Sequence, residues 1–212
     1  MVSNKIWNTG VDDNGTPLAL KKVDPHWLVI QGPGITNPQN VYVLTDQKAG
    51  NYFGTPDSRW VWADPSGKGD TTSVYVFQTR FYVEVDLSQH WIQINGKWGA
   101  DNFGQFTIDR NPLPPGSGNG AISLPAGNVG SNYQQTHDFS ISQAHFLSLS
   151  HLHLNVGWHT LEVWIHNEGP AGDDDPEVNP AGFNLSALSI DIHPVPNIQR
   201  VPNIPVLHPP GS

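Results

Sequence analysis

Residues 74–87 read VYVFQTRFYVEVDL, and the alternation of apolar and polar side chains in this stretch decides the fold class. Successive side chains of a β-strand point to opposite faces of its sheet, so a period of two predicts one buried and one solvated face. The buried face is predicted to carry Tyr75, Phe77, Phe81, Val83, Val85 and Leu87, and the solvated face Gln78, Arg80, Glu84 and Asp86.

Further short apolar runs lie on both sides of this strand. The chain of 212 residues contains 21 Gly and 19 Pro and has no sustained helical periodicity. Strands are predicted at 26–30, 41–44, 59–62, 103–108, 137–141, 146–154, 159–166 and 183–192. About ten strands suit two packed sheets, so we expect an all-β fold, a jelly roll or β-sandwich of two antiparallel sheets, over residues 1–192.

Asn95 and Gly96 predict a tight turn. They separate the apolar run 91–94 from Lys97 and Trp98. Because Asn-Gly readily adopts the two positive φ angles of a type I′ turn, we expect a β-hairpin here.

From residue 193 to 212 the composition shifts to proline and aliphatic residues. Prolines at this density favour an extended polyproline II arm, which when ordered lies on its own domain or on a neighbouring subunit. A disordered terminus is the alternative. The candidate partner-binding residues of this tail are Pro194, Val195, Pro196, Ile198, Val201, Pro202, Ile204, Val206 and Leu207.

Three segments follow one another in the second half of the chain: NGKWGADN at 95–102, LEVWIHN at 161–167 and NPAGFNL at 179–185. Together they resemble galactose-binding-like jelly-roll domains, of the kind found in bacterial surface proteins and carbohydrate-binding modules. The resemblance spans roughly residues 75–192 and bears on the fold more than on the function. It implies a jelly roll and, as in many such domains, a structural calcium ion.

Several tryptophans are candidate ligand-binding residues, because an exposed indole stacks on sugar rings and anchors protein interfaces. Core packing is the alternative for each, since an indole buries a large apolar area. The candidates are Trp60, Trp62, Trp91, Trp98 and Trp164.

A second group of candidates rests on a predicted hairpin between 146–154 and 159–166. In that register His151, His153 and His166 share a face with Glu162 and Trp164. Imidazoles two residues apart, opposite a carboxylate, have the chemistry of a zinc site. We prefer the alternative of a mixed polar and aromatic face covered by the tail or by a partner.

Two acidic clusters are candidate calcium ligands, because calcium takes oxygen ligands in flexible geometry. They are Asp12 with Asp13, and Asp173 and Asp174 with Asp175. Neither has the spacing of an EF-hand, and solvated charged loops are the alternative. No other cofactor is expected.

The composition argues against several function classes. A net charge of −9 with ten scattered Lys and Arg gives no basic surface for nucleic acid. The apolar runs are too short to cross a bilayer, and the N-terminal residues do not read as a secretory signal. Cysteine is absent, as are the serine-hydrolase, zinc-protease and phosphate-loop motifs, so we expect a protein that is not an enzyme.

These expectations favour a structural or binding subunit of a large assembly, such as a capsid decoration protein of a phage or a surface appendage. Its partners would be protein neighbours in a homo- or hetero-oligomer, and its place a virion or the cell surface. A carbohydrate-binding module that stacks a glycan on an exposed tryptophan is the alternative. A calcium-stabilised extracellular surface protein is a second one.

Overall fold

The computed structural model describes eight parts of the chain: residues 5–47, 52–69, 73–85, 90–109, 111–112, 132–142, 156–168 and 180–194. Within them the regular structure consists of β-strands only. The strands are β1 (Val23–Gln31), β2 (Gln39–Val43), β3 (Val61–Trp62), β4 (Ser73–Val83), β5 (His90–Asp101), β6 (Phe103–Ile108), β7 (Asn111–Pro112), β8 (His137–Ser142), β9 (Gly157–Asn167) and β10 (Gly182–Pro194).

All ten strands belong to one antiparallel sheet in the order β7-β6-β9-β4-β1-β2-β3-β10-β5-β8. The sheet curls until its two ends face each other. Phe106 of β6 and Phe139 of β8 stack with ring centroids 4.5 Å apart, although their strands lie near opposite ends of the order. The prediction of an all-β antiparallel fold is therefore confirmed, whereas the two separate sheets that were expected are, among the described residues, one curled sheet.

Strand β4 has the predicted alternation. Phe77, Phe81 and Val83 are buried, whereas Arg80 on the opposite face is exposed. The strand ends at Val83, and Val85 packs partly buried against the core. Because β4 lies between β1 and β9, its apolar face contributes to the centre of the core.

The predicted hairpin at Asn95 and Gly96 is wrong, because β5 runs without a turn from His90 to Asp101. Gly96 instead lies opposite Phe139 in the ladder with β8. A Cβ atom at Gly96 would come within 2.7 Å of both Phe139 and Leu188. Glycine thus serves close packing at this position, and pairing of β5 with β8 and β10 overrides the local turn preference.

The predicted pairing of 146–154 with β9 is also wrong for the residues on which it was built. Leu161 and Val163 of β9 pair with Ile108 and Phe106 of β6 on one side, and β4 occupies the other side. Both edges of β9 are therefore taken at these residues. The predicted strand 146–154 itself lies outside the described residues.

The core is a continuous cluster of aliphatic and aromatic side chains in which tryptophans take much of the volume. Trp27 and Trp62 are completely buried and make ring contacts with Phe183 and Phe77. The Trp27 indole N–H donates to the carbonyl of Trp7, 3.1 Å away. The polar end of a buried indole is thereby satisfied, and the N-terminal segment is fixed against β1.

Strand β10 continues to Pro194, which pairs with His90. The ladder thus includes His193 and Pro194, the first two residues of the predicted tail. The other tail residues lie outside the described part of the chain. No helix with the length and apolar character of a membrane span occurs among the described residues.

Candidate functional site

Three of the tryptophans considered for ligand binding are core residues. Trp60, Trp62 and Trp98 have relative exposures of 1%, 0% and 1%. The indole N–H groups of Trp60 and Trp62 donate to the carbonyls of Phe53 and Lys68 at 2.8 and 3.0 Å. These three residues therefore pack in the core, which is the alternative to ligand binding that the sequence left open.

Glu162, Trp164 and His166 lie on the outer face of β9, together as predicted. Glu162 is nearly inaccessible and accepts hydrogen bonds from Gln78 Nε2 at 3.0 Å and Thr107 Oγ1 at 3.1 Å. The half-buried Trp164 donates from Nε1 to the same Thr107 hydroxyl at 3.1 Å. This part of the face is therefore an interconnected polar network.

The structure describes only some of the residues in the metal-binding hypotheses. His166 Nδ1 is 3.6 Å from Glu168 Oε1, whereas His151, His153, Asp173, Asp174 and Asp175 lie outside the described residues. Among the residues that the structure describes, no three His, Cys, Asp or Glu side chains are grouped to hold a metal ion.

Asp12 stabilises a turn. Its Oδ1 accepts backbone N–H groups of Asn14 and Thr16 at 2.9 and 2.8 Å. The hydrogen bond from Thr16 is the largest influence on the pKa of Asp12, which is lowered. Asp13 is exposed on the same turn, where its carboxylate lies 3.5 Å from Nε2 of His26.

An aromatic groove opens beside this turn, on the outer face of β1, β4 and β9. It has a volume of about 290 Å³, and its lining includes Trp7, His26, Leu28, Gln78, Arg80 and Trp158. Trp158 is 61% exposed, the highest value among the large apolar side chains that are described as exposed. We call this feature the Trp158 groove.

Trp158 is held at the start of β9 by its strand neighbours. It pairs with Tyr82 of β4, and the two rings meet edge to face with centroids 5.4 Å apart. The next residue, His159, points inward and is buried. The alternation of β9 therefore fixes the Trp158 indole on the outer face, where it is open to solvent.

The second wall of the groove is a stack of three side chains. The rings of Trp7 and His26 are parallel, with centroids 4.1 Å apart and an interplanar angle of 6°. Lys5 Nζ lies 3.3 Å from the Trp7 ring centroid, in a cation–π contact. Burial lowers the pKa of His26, and the Asp12 backbone and the Asp13 charge oppose this effect.

Polar groups from β4 form the floor. The Gln78 amide nitrogen donates one hydrogen bond to Glu162, and the Gln78 carbonyl oxygen is an acceptor that can serve a ligand. Arg80, two residues further along the same face, is exposed and supplies a guanidinium group. The groove thus combines an open indole with an acceptor, a charged donor and an imidazole.

A larger cavity of about 430 Å³ lies elsewhere, where β5 and β8 run side by side. Among its described lining residues the aromatic side chain is Phe139, which is buried. Lys97 and Asp138 approach each other to 3.6 Å at its edge. Since this cavity offers no open ring for stacking among those residues, the Trp158 groove is the stronger candidate.

Two buried carboxyl groups, Asp101 and Asp24, are not among the residues that line the groove. Burial raises the pKa of Asp101 to about 7, although the hydrogen bond from the Tyr52 hydroxyl lowers it. Burial likewise raises the pKa of Asp24 to about 6, against hydrogen bonds from the backbone of His26 and Gly10. Both carboxyl groups accept hydrogen bonds from other parts of the chain, so we assign them a structural role.

Asp109 and His159 form a close pair at the end of β6. Their Oδ2 and Nδ1 atoms are 2.7 Å apart, and Asp109 Oδ1 accepts from the N–H of Thr160 at 2.8 Å. Burial alone would raise the pKa of Asp109, but the hydrogen bonds from His159 and Thr160 outweigh it and lower the pKa. The pair ties the chain after β6 to β9.

The sequence hypothesis did not select Trp7 or Trp158. Trp158 falls between the predicted strands 146–154 and 159–166, in the turn of a hairpin that does not form, although extending the alternation of β9 by one residue assigns it to the outer face. The position of Trp7 depends on its stacking against His26, a residue 19 positions away, and no local pattern reports such a contact.

Comparison with known proteins gives no match to this chain among family models, curated proteins or solved structures.

Proposed function

We propose that this protein binds carbohydrate without catalysing its conversion, and that the Trp158 groove is the binding site. The observation that supports the proposal is an indole exposed to 61% beside Gln78, Arg80 and His26. A glycan-binding role would place the protein at the surface of a cell or a virion.

A sugar can make both apolar and polar contacts with the side chains that line the Trp158 groove. A pyranose ring has an apolar face of C–H groups that can pack on the Trp158 indole. Its hydroxyl groups can then donate to Gln78 Oε1 and accept from Arg80. Trp158 already rests against Tyr82, so little rotamer freedom is lost when a ligand packs on it.

The test is binding of immobilised glycans to the whole chain, followed by titration of intrinsic fluorescence with the best ligand. Replacing Trp158 by Ala should weaken binding by about tenfold or more, because aromatic side chains at the centre of a site dominate binding energy. Trp91→Ala is the matched control, since Trp91 stacks on His193 and lies on β5 outside the groove.

The proposal requires Trp158→Ala to lose affinity while Trp91→Ala keeps it. Absence of a saturable response from any glycan would refute it, as would equal affinities of the two variants. Circular dichroism of both variants checks that each is folded.

A second candidate function is that of an assembly subunit whose tail contacts a neighbour. Four exposed apolar side chains favour it: Leu20 and Val23 near the start of β1, and Val156 and Trp158 at the start of β9. Strands β1 and β9 both run antiparallel to β4, so their starts lie at the same end of the sheet. Apolar side chains gathered at one end of a sheet are typical of an interface.

Deletion of residues 195–212 tests this second function, because β10 ends before the cut. The shortened protein should fold but lose self-association in light scattering. The idea would be contradicted by a full-length protein that stays monomeric at high concentration and binds no partner from its native assembly.

We also propose that the curled sheet is of the jelly-roll type. The supporting observation is its division into a large part, from β7 to β2, and a small part of β10, β5 and β8, connected by the two-residue β3. We also propose a structural calcium ion at Asp173, Asp174 and Asp175, which isothermal titration with calcium tests.

A further inference from the structure

We infer that the Trp158 groove selects acidic sugars, and that Arg80 recognises a carboxylate on the ring that packs against Trp158. This inference rests on the proposed function and goes further, because it names the ligand class as uronic acids.

Arg80 is placed for a ligand. Its strand position pairs with Thr160 of β9, so it lies on the outer face two residues from Gln78 and two from Tyr82, the partner of Trp158. It is exposed, and among the described residues no carboxylate forms an ion pair with it. The guanidinium group therefore meets solvent beside an open indole.

Charges of both signs lie near the groove. Lys5 adds a second cation above Trp7. Of the nearby carboxylates, Asp13 lies beside His26, and Glu162 is buried behind Gln78 with hydrogen bonds to both of its oxygens. The charges that act on His26 are thus the cation Lys5 and the carboxylates of Asp12 and Asp13, so an anion in the groove would be held by Arg80 itself, on a chain whose net charge is −9.

The negative net charge of the chain determines how an anionic ligand could be selected. The negative net charge repels polyanions from most of the surface, so attraction at the groove has to come from specific contacts. A guanidinium group is a planar fork that matches a carboxylate with two parallel hydrogen bonds. A uronic acid carries that carboxylate on the rim of the ring, beside the C–H face that would rest on Trp158.

The experiment compares a uronic-acid oligosaccharide with its carboxyl-reduced, neutral counterpart, both titrated into the whole chain by calorimetry. The acidic form should bind about tenfold or more tightly, in line with charge-assisted hydrogen bonds. Arg80→Gln should remove this preference, so that the acidic and neutral forms bind with equal and lowered affinity, and Arg80→Lys should keep part of the preference. Lys97→Gln removes a cation from β5, outside the groove, and should leave the preference unchanged.

Equal affinity of the wild-type protein for the two oligosaccharides would overturn the inference and leave the proposed function standing. A preference that survives Arg80→Gln, or that Lys97→Gln also removes, would overturn it as well. Failure of both oligosaccharides, and of all other glycans, to bind would refute the proposed function and this inference with it.

Discussion

Replacement of Asp101 by Asn should stabilise the protein at neutral and alkaline pH. Asp101 is 4% exposed and accepts a hydrogen bond from the Tyr52 hydroxyl at 3.0 Å. Burial raises the pKa of its carboxyl group from 3.8 to about 7. The folded protein therefore holds a proton that the unfolded chain releases between these two pH values.

The sign follows from proton linkage. Because the folded state binds more protons than the unfolded state between about pH 4 and pH 7, Asp101 makes the free energy of unfolding fall as pH rises through this window. The difference between 3.8 and about 7 is roughly three pKa units. At about 1.4 kcal/mol per unit, this corresponds to about 4 kcal/mol above pH 7.

Urea unfolding followed by tryptophan fluorescence, at intervals from pH 4 to pH 8, measures the effect. Asn has nearly the same shape, stays neutral and can still accept from Tyr52. The stability of Asp101→Asn should match the wild type near pH 4 and exceed it by up to about 4 kcal/mol at pH 8. Asp138→Asn is the control, because that side chain is 85% exposed on β8. A stability difference for Asp101→Asn that is independent of pH would refute the reasoning.

Three further changes test other parts of the fold. Gly96→Ala should cost about 1–3 kcal/mol in urea unfolding, because its Cβ would meet Phe139 at 2.7 Å; unchanged stability would contradict the packing. Asp109→Asn should lower the melting temperature at pH 7, with a difference that shrinks as pH falls below 3.8, because His159 and the Thr160 backbone stabilise the ionised form. Asp24→Ala leaves two backbone N–H groups without their acceptor, each worth about 1–3 kcal/mol, and should unfold at clearly lower urea concentration.

The strands could be predicted from the sequence where the alternation was long and unambiguous. The pattern at 74–87 gave both the strand and its buried face, since an aromatic or aliphatic side chain recurred at nearly every second residue. The turn at Asn95 and Gly96 failed for a tertiary reason. Local preference favoured a turn, but Phe139 and Leu188 pack where a side chain at Gly96 would lie.

The binding site was harder to predict because tryptophan suits a core and an exposed site equally well. Trp60 and Trp62 are both buried in the core, and this burial depends on how the curled sheet brings other strands against them. The Trp158 groove combines residues from the N-terminal segment, β1, β4 and β9. Their proximity depends on strand order, which periodicity along the chain does not encode.

The short strand β3 has a mechanical consequence. Strand β3 lies between the large part of the sheet, from β7 to β2, and the small part of β10, β5 and β8. In the described residues, the ladder that joins these two parts runs through Val61 and Trp62 alone. At the opposite seam, Phe106 and Phe139 join the two parts by ring contact. Strand β8 is the last strand in the order and its ladder in the described residues is with β5 alone, so we expect it to open before the central strands do. Amide hydrogens of β8 would then exchange with solvent earlier than those in the middle of β4.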